Sequence, residues 1–340
     1  MTKNNWVYSS VSKSRVNKAG KNVRLGVETA EDLNVIETWR ASHAYVLNTF
    51  QMALRRKVRE KSIVVAQRLK RRNTIFGKAR REIGMDLARM HDVAGCRLIF
   101  PTIEDLYKFR TFFHSSKFGH KRRNEIDSYD YIKSPKSSGY RGIHDVYEHS
   151  VGSEAGSKWN GLLVEIQYRT EVQHAWSTSV EIAGFITENQ PKFNEGDERY
   201  KLFFKLSSEI MARSHEDRAS CFPDMPNAEL VAAFEGVEQQ IGLLRTLKLI
   251  NQSDRVISTG KNVILTFSTV SKEPVAETFE TLASAVQRYF ELEKSTPTAD
   301  IVLVRADSTE SIKQAFRNYF SDTKQFVVLL SSGIKNLTTR

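Results

Sequence analysis

The sequence predicts an α/β (α+β) protein, with a mixed sheet flanked by helices and a second, smaller α/β unit at its C-terminal end. Three observations predict it. Short β-type apolar runs alternate with helix-period segments along the first 250 residues. No apolar run approaches the ~20 residues needed to cross a membrane. A second βαβαβ pattern begins near Asn251.

Residues 1–30 read as loosely ordered. A helix is expected from Asp32 to Arg59, where Val46, Phe50, Leu54 and Val58 share one face at four-residue spacing. Ser62–Leu69 reads as a strand, Thr74–Glu82 as a short helix, and Gly95–Phe100 as a second strand stopped by Pro101. Ile103–Phe113 is amphipathic. Ser128–Arg141 is a Ser- and Lys-rich loop punctuated by Pro135 and Gly139. Strands follow at Gly142–Glu148 and Leu162–Arg169, then helices at Glu171–Gly184, Glu198–His215 and Ala228–Leu249. In the C-terminal unit, Asn262–Phe267, Ile301–Val304 and Gln325–Leu330 read as strands, with helices at Val275–Glu293 and Thr309–Phe320. The expected units are 1–30, 31–250 and 251–340.

At 340 residues and 40% hydrophobic content, the chain can bury a sizeable core. The polar, basic N-terminus lacks an apolar signal core, which predicts a cytoplasmic protein. Cys96 and Cys221 have no CxxC partner, so a structural zinc site has no support. The net charge of +11 is concentrated. Residues Arg55–Glu82 hold twelve Lys or Arg against two acids, a local balance of +10. Such a segment suits polyphosphate or nucleic acid, although a charge run is more often a solvated helix face.

Four clusters carry chemistry. In RLKRRNTIFGK, Arg68 can stack on a purine or grip phosphate, Lys70 and Lys78 can neutralise a triphosphate, and Thr74 can cap a helix or meet a phosphate oxygen. In DVAGCR, Asp92 before a buried strand, with Arg97 beyond it, suits a hard metal ion beside a nucleotide. In DYIKSPKSSGYRGIH, Lys133, Lys136, Arg141 and His144 are phosphate donors around Tyr140, whose ring offers a face to a base. In VEIQYRT, Glu165, Gln167 and Arg169 alternate onto one strand face, as in the wall of a cleft. Taken singly, the first cluster reads equally well as a basic surface turn, and the second reads more readily as an Asp in a turn pairing with a nearby Arg.

All four motifs in this order resemble the synthetase domain of RelA/SpoT proteins, makers of the alarmone (p)ppGpp, over roughly residues 40–190. The resemblance implies a nucleotidyltransferase-like synthetase domain and a magnesium-dependent pyrophosphokinase. Such an enzyme moves pyrophosphate from ATP to the 3′-hydroxyl of GDP or GTP. It assigns Arg68 and Arg97 to the adenine, and Lys70, Thr74 and Lys78 to the ATP phosphates. Asp92 and Glu165 become magnesium ligands and, with Gln167, the catalytic set. Tyr140 takes the acceptor base, with Lys133, Lys136, Arg141 and His144 around the acceptor.

Two alternatives stand beside this one. Some family members are toxins that modify the 3′ end of tRNA or an adenosine nucleotide, and residues 251–340 would then regulate the toxin or sense a protein partner such as a phage protein. The other is a silent nucleotide- or RNA-binding module. An oligomer is compatible with the family.

Overall fold

The computed structural model describes residues 6–59, 61–186, 197–250, 262–267, 275–296, 300–305 and 322–339. Its centre is a mixed five-stranded sheet formed by β1 (Val64–Leu69), β2 (Ala94–Phe100), β3 (Lys121–Arg122), β4 (Ile143–Glu148) and β5 (Leu163–Thr170), in the order β1-β2-β5-β4-β3. Only β2 and β5 run parallel; the other pairs are antiparallel. The expected mixed sheet is therefore present.

Residues 1–30 are not loose throughout. Helix α1 (Lys13–Leu25) is capped by the Ser12 side chain and ended by Gly26 in the left-handed region, and it buries Val16, Ala19, Gly20 and Val23. Its apolar face consists of small residues among lysines and arginines, so it gives a weak periodic signal. A Cβ on Gly20 would lie 2.6 Å from the Leu87 side chain, so the close packing of α1 there requires glycine. Helix α2 (Ala30–Lys57) opens with a capping box between Thr29 and Asp32. Val46, Phe50 and Leu54, together with the cap residue Val58, are buried in the same core as Cys96, Leu98 and Ile166 of the sheet.

Helices α3 (Arg72–Arg81), α4 (Ile103–Ser115), α5 (Glu154–Ser157), α6 (Glu171–Ile186) and α7 (Glu198–Glu216) complete the body. The single helix expected over Ala228–Leu249 is two, α8 (Asn227–Ile241) and α9 (Leu243–Ile250), because Gly242 adopts φ 60° and ends the first.

The C-terminal unit differs more. Strands β6 (Asn262–Phe267), β7 (Val275–Phe279) and β8 (Asp300–Arg305) form an antiparallel sheet in the order β7-β6-β8. The first residues of the helix expected at Val275–Glu293 are thus a strand, and helix α10 (Leu282–Ser295) starts only after the Thr281 cap. The expected strand Gln325–Leu330 lies inside helix α11 (Asp322–Thr338). The run QFVVLL fits either period; what decides is that Phe326 and Leu330, four residues apart, bury against Phe203, Phe204 and the α6–α8 core. Helix α11 therefore completes the main body, while β6–β8 and α10 have a small core of their own around Ile264, Tyr289, Leu292 and Ile301. The helix expected at Thr309–Phe320 lies outside the described residues.

No helix among the described residues is long and apolar enough to cross a membrane.

Candidate active site

A cleft of about 1040 Å³ opens over β1, β2 and β5 and is walled by the 129–144 loop, α6 and α7. Strand register builds its floor. Arg68 pairs with Gly95, Gly95 with Glu165, and Arg97 with Gln167, so these side chains alternate onto one face. Gly95 leaves that face open between Arg68 and Glu165.

On one wall, Asp92 accepts from Lys70 Nζ at 2.6 Å and from Lys78 Nζ at 3.2 Å. Burial opposes the charge on Asp92, but the two lysines win and hold its carboxyl below the usual range. Burial lowers Lys70, and Asp92 only partly restores it. Burial among other cations also brings Arg97 down to about 10. Repulsion from Glu165 acts on Asp92, which places the two carboxylates in electrostatic reach of each other.

On the other wall, Glu165 is 5% exposed. Its Oε2 accepts from Gln167 Nε2 at 2.6 Å, and its Oε1 lies 3.1 Å from His144 Nδ1 and 3.8 Å from His91 Nε2. Burial would raise its carboxyl, but His144 and Gln167 overcome this and keep it well below the ordinary range. His144 Nε2 meets the Tyr140 hydroxyl at 2.5 Å, and Arg169 donates to the same hydroxyl at 3.3 Å. Burial pushes Tyr140 up, yet Arg169 and His144 bring it down to about 8. Burial lowers His144, yet Tyr140 and Glu165 raise it to about 9. Lys136 Nζ stands 4.3 Å from the Tyr131 ring centre and 5.6 Å from that of Tyr140.

A chain 31% identical over 183 residues is the GTP pyrophosphokinase YjbM of Bacillus subtilis (strain 168); the match covers 52% of this chain and 80% of that protein. This chain belongs to the RelA/SpoT family. The family described as "Region found in RelA / SpoT proteins" matches residues 67–183, the stretch that holds the cleft floor. A second relative is the GTP pyrophosphokinase YwaC of Bacillus subtilis (strain 168), 26% identical over 121 residues, covering 36% of this chain and 46% of YwaC. Among solved structures, the small alarmone synthetase 1 from Bacillus subtilis bound to its product pppGpp superposes with a TM-score of 0.43 at 24% identity, covering 50% of this chain and 88% of that one.

Within this cleft the structure brings together Arg68, Lys70, Lys78, Asp92, Arg97, Lys136, Tyr140, His144, Glu165 and Gln167. Three expected residues lie elsewhere. Thr74 sits in the first turn of α3 outside the cleft lining, and Arg71, not Thr74, is the N-cap. Lys133 is 58% exposed at its side chain and pairs with Asp127 at 3.0 Å. Arg141 is 3% exposed and faces Glu216 of α7.

The sequence reading missed several lining residues. His91 could have been found beside Asp92, whereas Arg169 lines the cleft as its alternation with Glu165 and Gln167 predicts. Lys201 and Lys205, one helical turn apart on α7, join the lining, as do Tyr289 and Ile301 from the C-terminal unit. Nothing local to those last two residues signals a site.

Proposed function

We propose that the chain transfers the β,γ-pyrophosphate of ATP to the 3′-hydroxyl of GDP or GTP, giving (p)ppGpp and AMP. The observation that carries this reading is the junction, in one cleft, of a cation–carboxylate cluster at Asp92 with a buried, ionised Glu165 beside Tyr140. The first suits a polyphosphate and the second suits a nucleophilic hydroxyl under a base.

Arg68, Lys70, Lys78 and Arg97 bind the donor. Lys70 and Lys78 turn from Asp92 to phosphate oxygens as the triphosphate enters. Tyr140 and Lys136 hold the acceptor. Glu165, kept anionic by His144 and Gln167, accepts the hydrogen bond of the 3′-hydroxyl and then its proton. The new bond joins that oxygen to the β-phosphorus, the bond from the β-phosphorus to the α,β-bridging oxygen breaks, and AMP departs with the electron pair. The protein's contribution is alignment and charge compensation.

Asp92 and Glu165 also fit a magnesium ion, which takes one or two carboxylates and completes its shell from phosphate and water. Among the described residues no group of three or more metal-capable side chains competes for that role. The ion would supply charge neutralisation of the phosphates.

The test is to incubate the full chain with γ-labelled ATP, magnesium and, in parallel, GDP, GTP, adenosine nucleotides or tRNA. Label on GDP or GTP is expected. Label on tRNA or an adenosine nucleotide alone would move the reading to the toxin branch, and no label anywhere would defeat it.

A second reading concerns control. Tyr289 and Ile301 line the same cleft, and the Arg40 guanidinium sits 5.5 Å from the Tyr289 ring centre. This contact supports a C-terminal unit that limits donor entry until a protein partner displaces it. Tyr289→Ala should then raise transfer at low ATP; a weaker donor affinity would instead make Tyr289 part of the donor site.

A further inference from the structure

We propose that Glu216, outside the cleft, is a positioning residue that sets the acceptor loop from behind. The proposal rests on the reading that Tyr140 faces the acceptor. Glu216 is the last residue of α7, with a side chain 4% exposed. One carboxylate oxygen lies 2.5 Å from Arg141 of the loop. The other accepts from Gln173 Nε2 at 3.1 Å and from the Thr170 hydroxyl. Thr170 and Gln173 close the β5–α6 junction reciprocally, each side chain bonding the other's backbone N–H at 3.2 Å. One carboxylate thus ties the loop, the end of the Glu165 strand and the end of α7 together.

The placement of the charge argues for this role. A carboxylate at a helix C-terminus faces the negative end of the helix dipole, and a buried one without a cation is strongly unfavourable. Arg141 supplies the opposite charge at 2.5 Å, as an ion pair without hydrogen-bond geometry, so the pair is held by charge and by the packing around it.

The consequence reaches the cleft through the backbone. Tyr140 lines the cleft while its neighbour Arg141 is buried, so fixing one fixes the direction of the other. Gly142, at φ 147°, occupies a conformation that disfavours other residues, and a Cβ there would lie 3.1 Å from the Tyr140 hydroxyl and 3.2 Å from the Tyr168 carbonyl. Gly139 is tethered by Ser208 of α7, whose hydroxyl donates to its carbonyl at 2.6 Å. The end of α7 is braced in turn by α11. His215 Nε2 lies 2.8 Å from the Leu329 carbonyl, and the Ser214 hydroxyl donates to the Gly333 carbonyl at 3.1 Å. The acceptor loop is therefore registered against α7, and α7 against the C-terminal helix.

The experiment compares the full-length wild type with Glu216→Gln and, independently, Arg141→Lys. Hydrogen exchange without nucleotide is read at residues 131–142, where the Tyr131, Lys136 and Gly139 amides, which donate to the Gly142, Tyr140 and Lys136 carbonyls, report loop order. Steady-state transfer gives donor and acceptor KM separately. Glu216→Gln should speed exchange in the loop but not in β1–α3, and raise acceptor KM by about tenfold to a hundredfold with donor KM unchanged. Glu216→Asp, which keeps the charge, should recover part of the loss. Unchanged loop exchange in a folded Glu216→Gln protein would overturn the proposal, as would equal rises in both KM values. A wild type that transfers to no acceptor would overturn the proposed reaction, while the exchange result would still decide the role of Glu216.

Discussion

The proposed donor and acceptor walls of the cleft are built differently. The donor wall is local: Lys70, Lys78 and Asp92 lie within about two dozen residues of sequence and neutralise one another at 2.6 and 3.2 Å. The acceptor wall is assembled over distance. Tyr140 and His144 are aimed by a loop whose anchors are Ser208 and Glu216 on α7, itself braced by α11. A cation cluster that already has a counter-ion can be shaped by a strand and a short helix, because attraction does the aligning. An aromatic face has no such guide and needs a rigid backing. Damage to distant packing should therefore fall on the acceptor wall, and damage to charge on the donor wall.

Four results would break or sharpen this contrast. Glu165→Gln, at the meeting of the two walls, should reduce turnover by about 10³-fold or more while ATP still binds; turnover near that of the wild type would remove Glu165 from the chemistry. Phe326→Ala, far from any substrate, should cost about 3–5 kcal/mol by leaving a hole among Phe203, Phe204 and Leu330. Thermal melts check this loss, and the surviving folded fraction should show a raised acceptor KM. Lys70→Met should raise donor KM by about tenfold to a hundredfold and leave acceptor KM alone; titration of each substrate against the other separates the two.

The smallest effect is on acid stability. Burial lowers His43 and His120 to about 4 and lowers His149 as well. Below their ordinary value of about 6.5 the unfolded chain binds protons that the folded chain refuses, so stability falls as pH drops from about 6.5 toward 4. Fully buried His43 alone should account for about 2 kcal/mol at pH 5. His144 has the opposite sign: its raised value contributes stability that is complete below about 6.5 and lost as pH rises through about 9. Melting temperatures between pH 7.5 and 5 should therefore fall, and a flat profile would mean these histidines are not held neutral.

This contrast also explains what the sequence made legible. In RLKRRNTIFGK, DVAGCR and VEIQYRT, whose parts are close in sequence, Arg68, Lys70, Lys78, Asp92, Arg97, Glu165 and Gln167 reach the cleft as strand alternation and charge predict, while Thr74 does not. Arg141 could not be placed in that way. Sequence offers it as one more phosphate donor, and only the approach of Glu216, 75 positions later, turns it inward. Lys133 sits away from the cleft lining, with its ammonium 3.0 Å from Asp127, an exposed carboxylate earlier in the same loop. QFVVLL in α11 reads as a strand until Phe203 and Phe204 are known to lie beneath one of its faces. For Arg141 and QFVVLL a partner remote in sequence makes the choice.

The central claim is that one cleft moves a pyrophosphate as a unit. It is tested most directly by running the reaction with α-labelled ATP beside γ-labelled ATP and resolving the products with GDP or GTP as acceptor. The account predicts that the α label ends in AMP, in amounts equal to the γ label gained by the acceptor. An α label that ends in ADP, with a single phosphate on the acceptor, would contradict it.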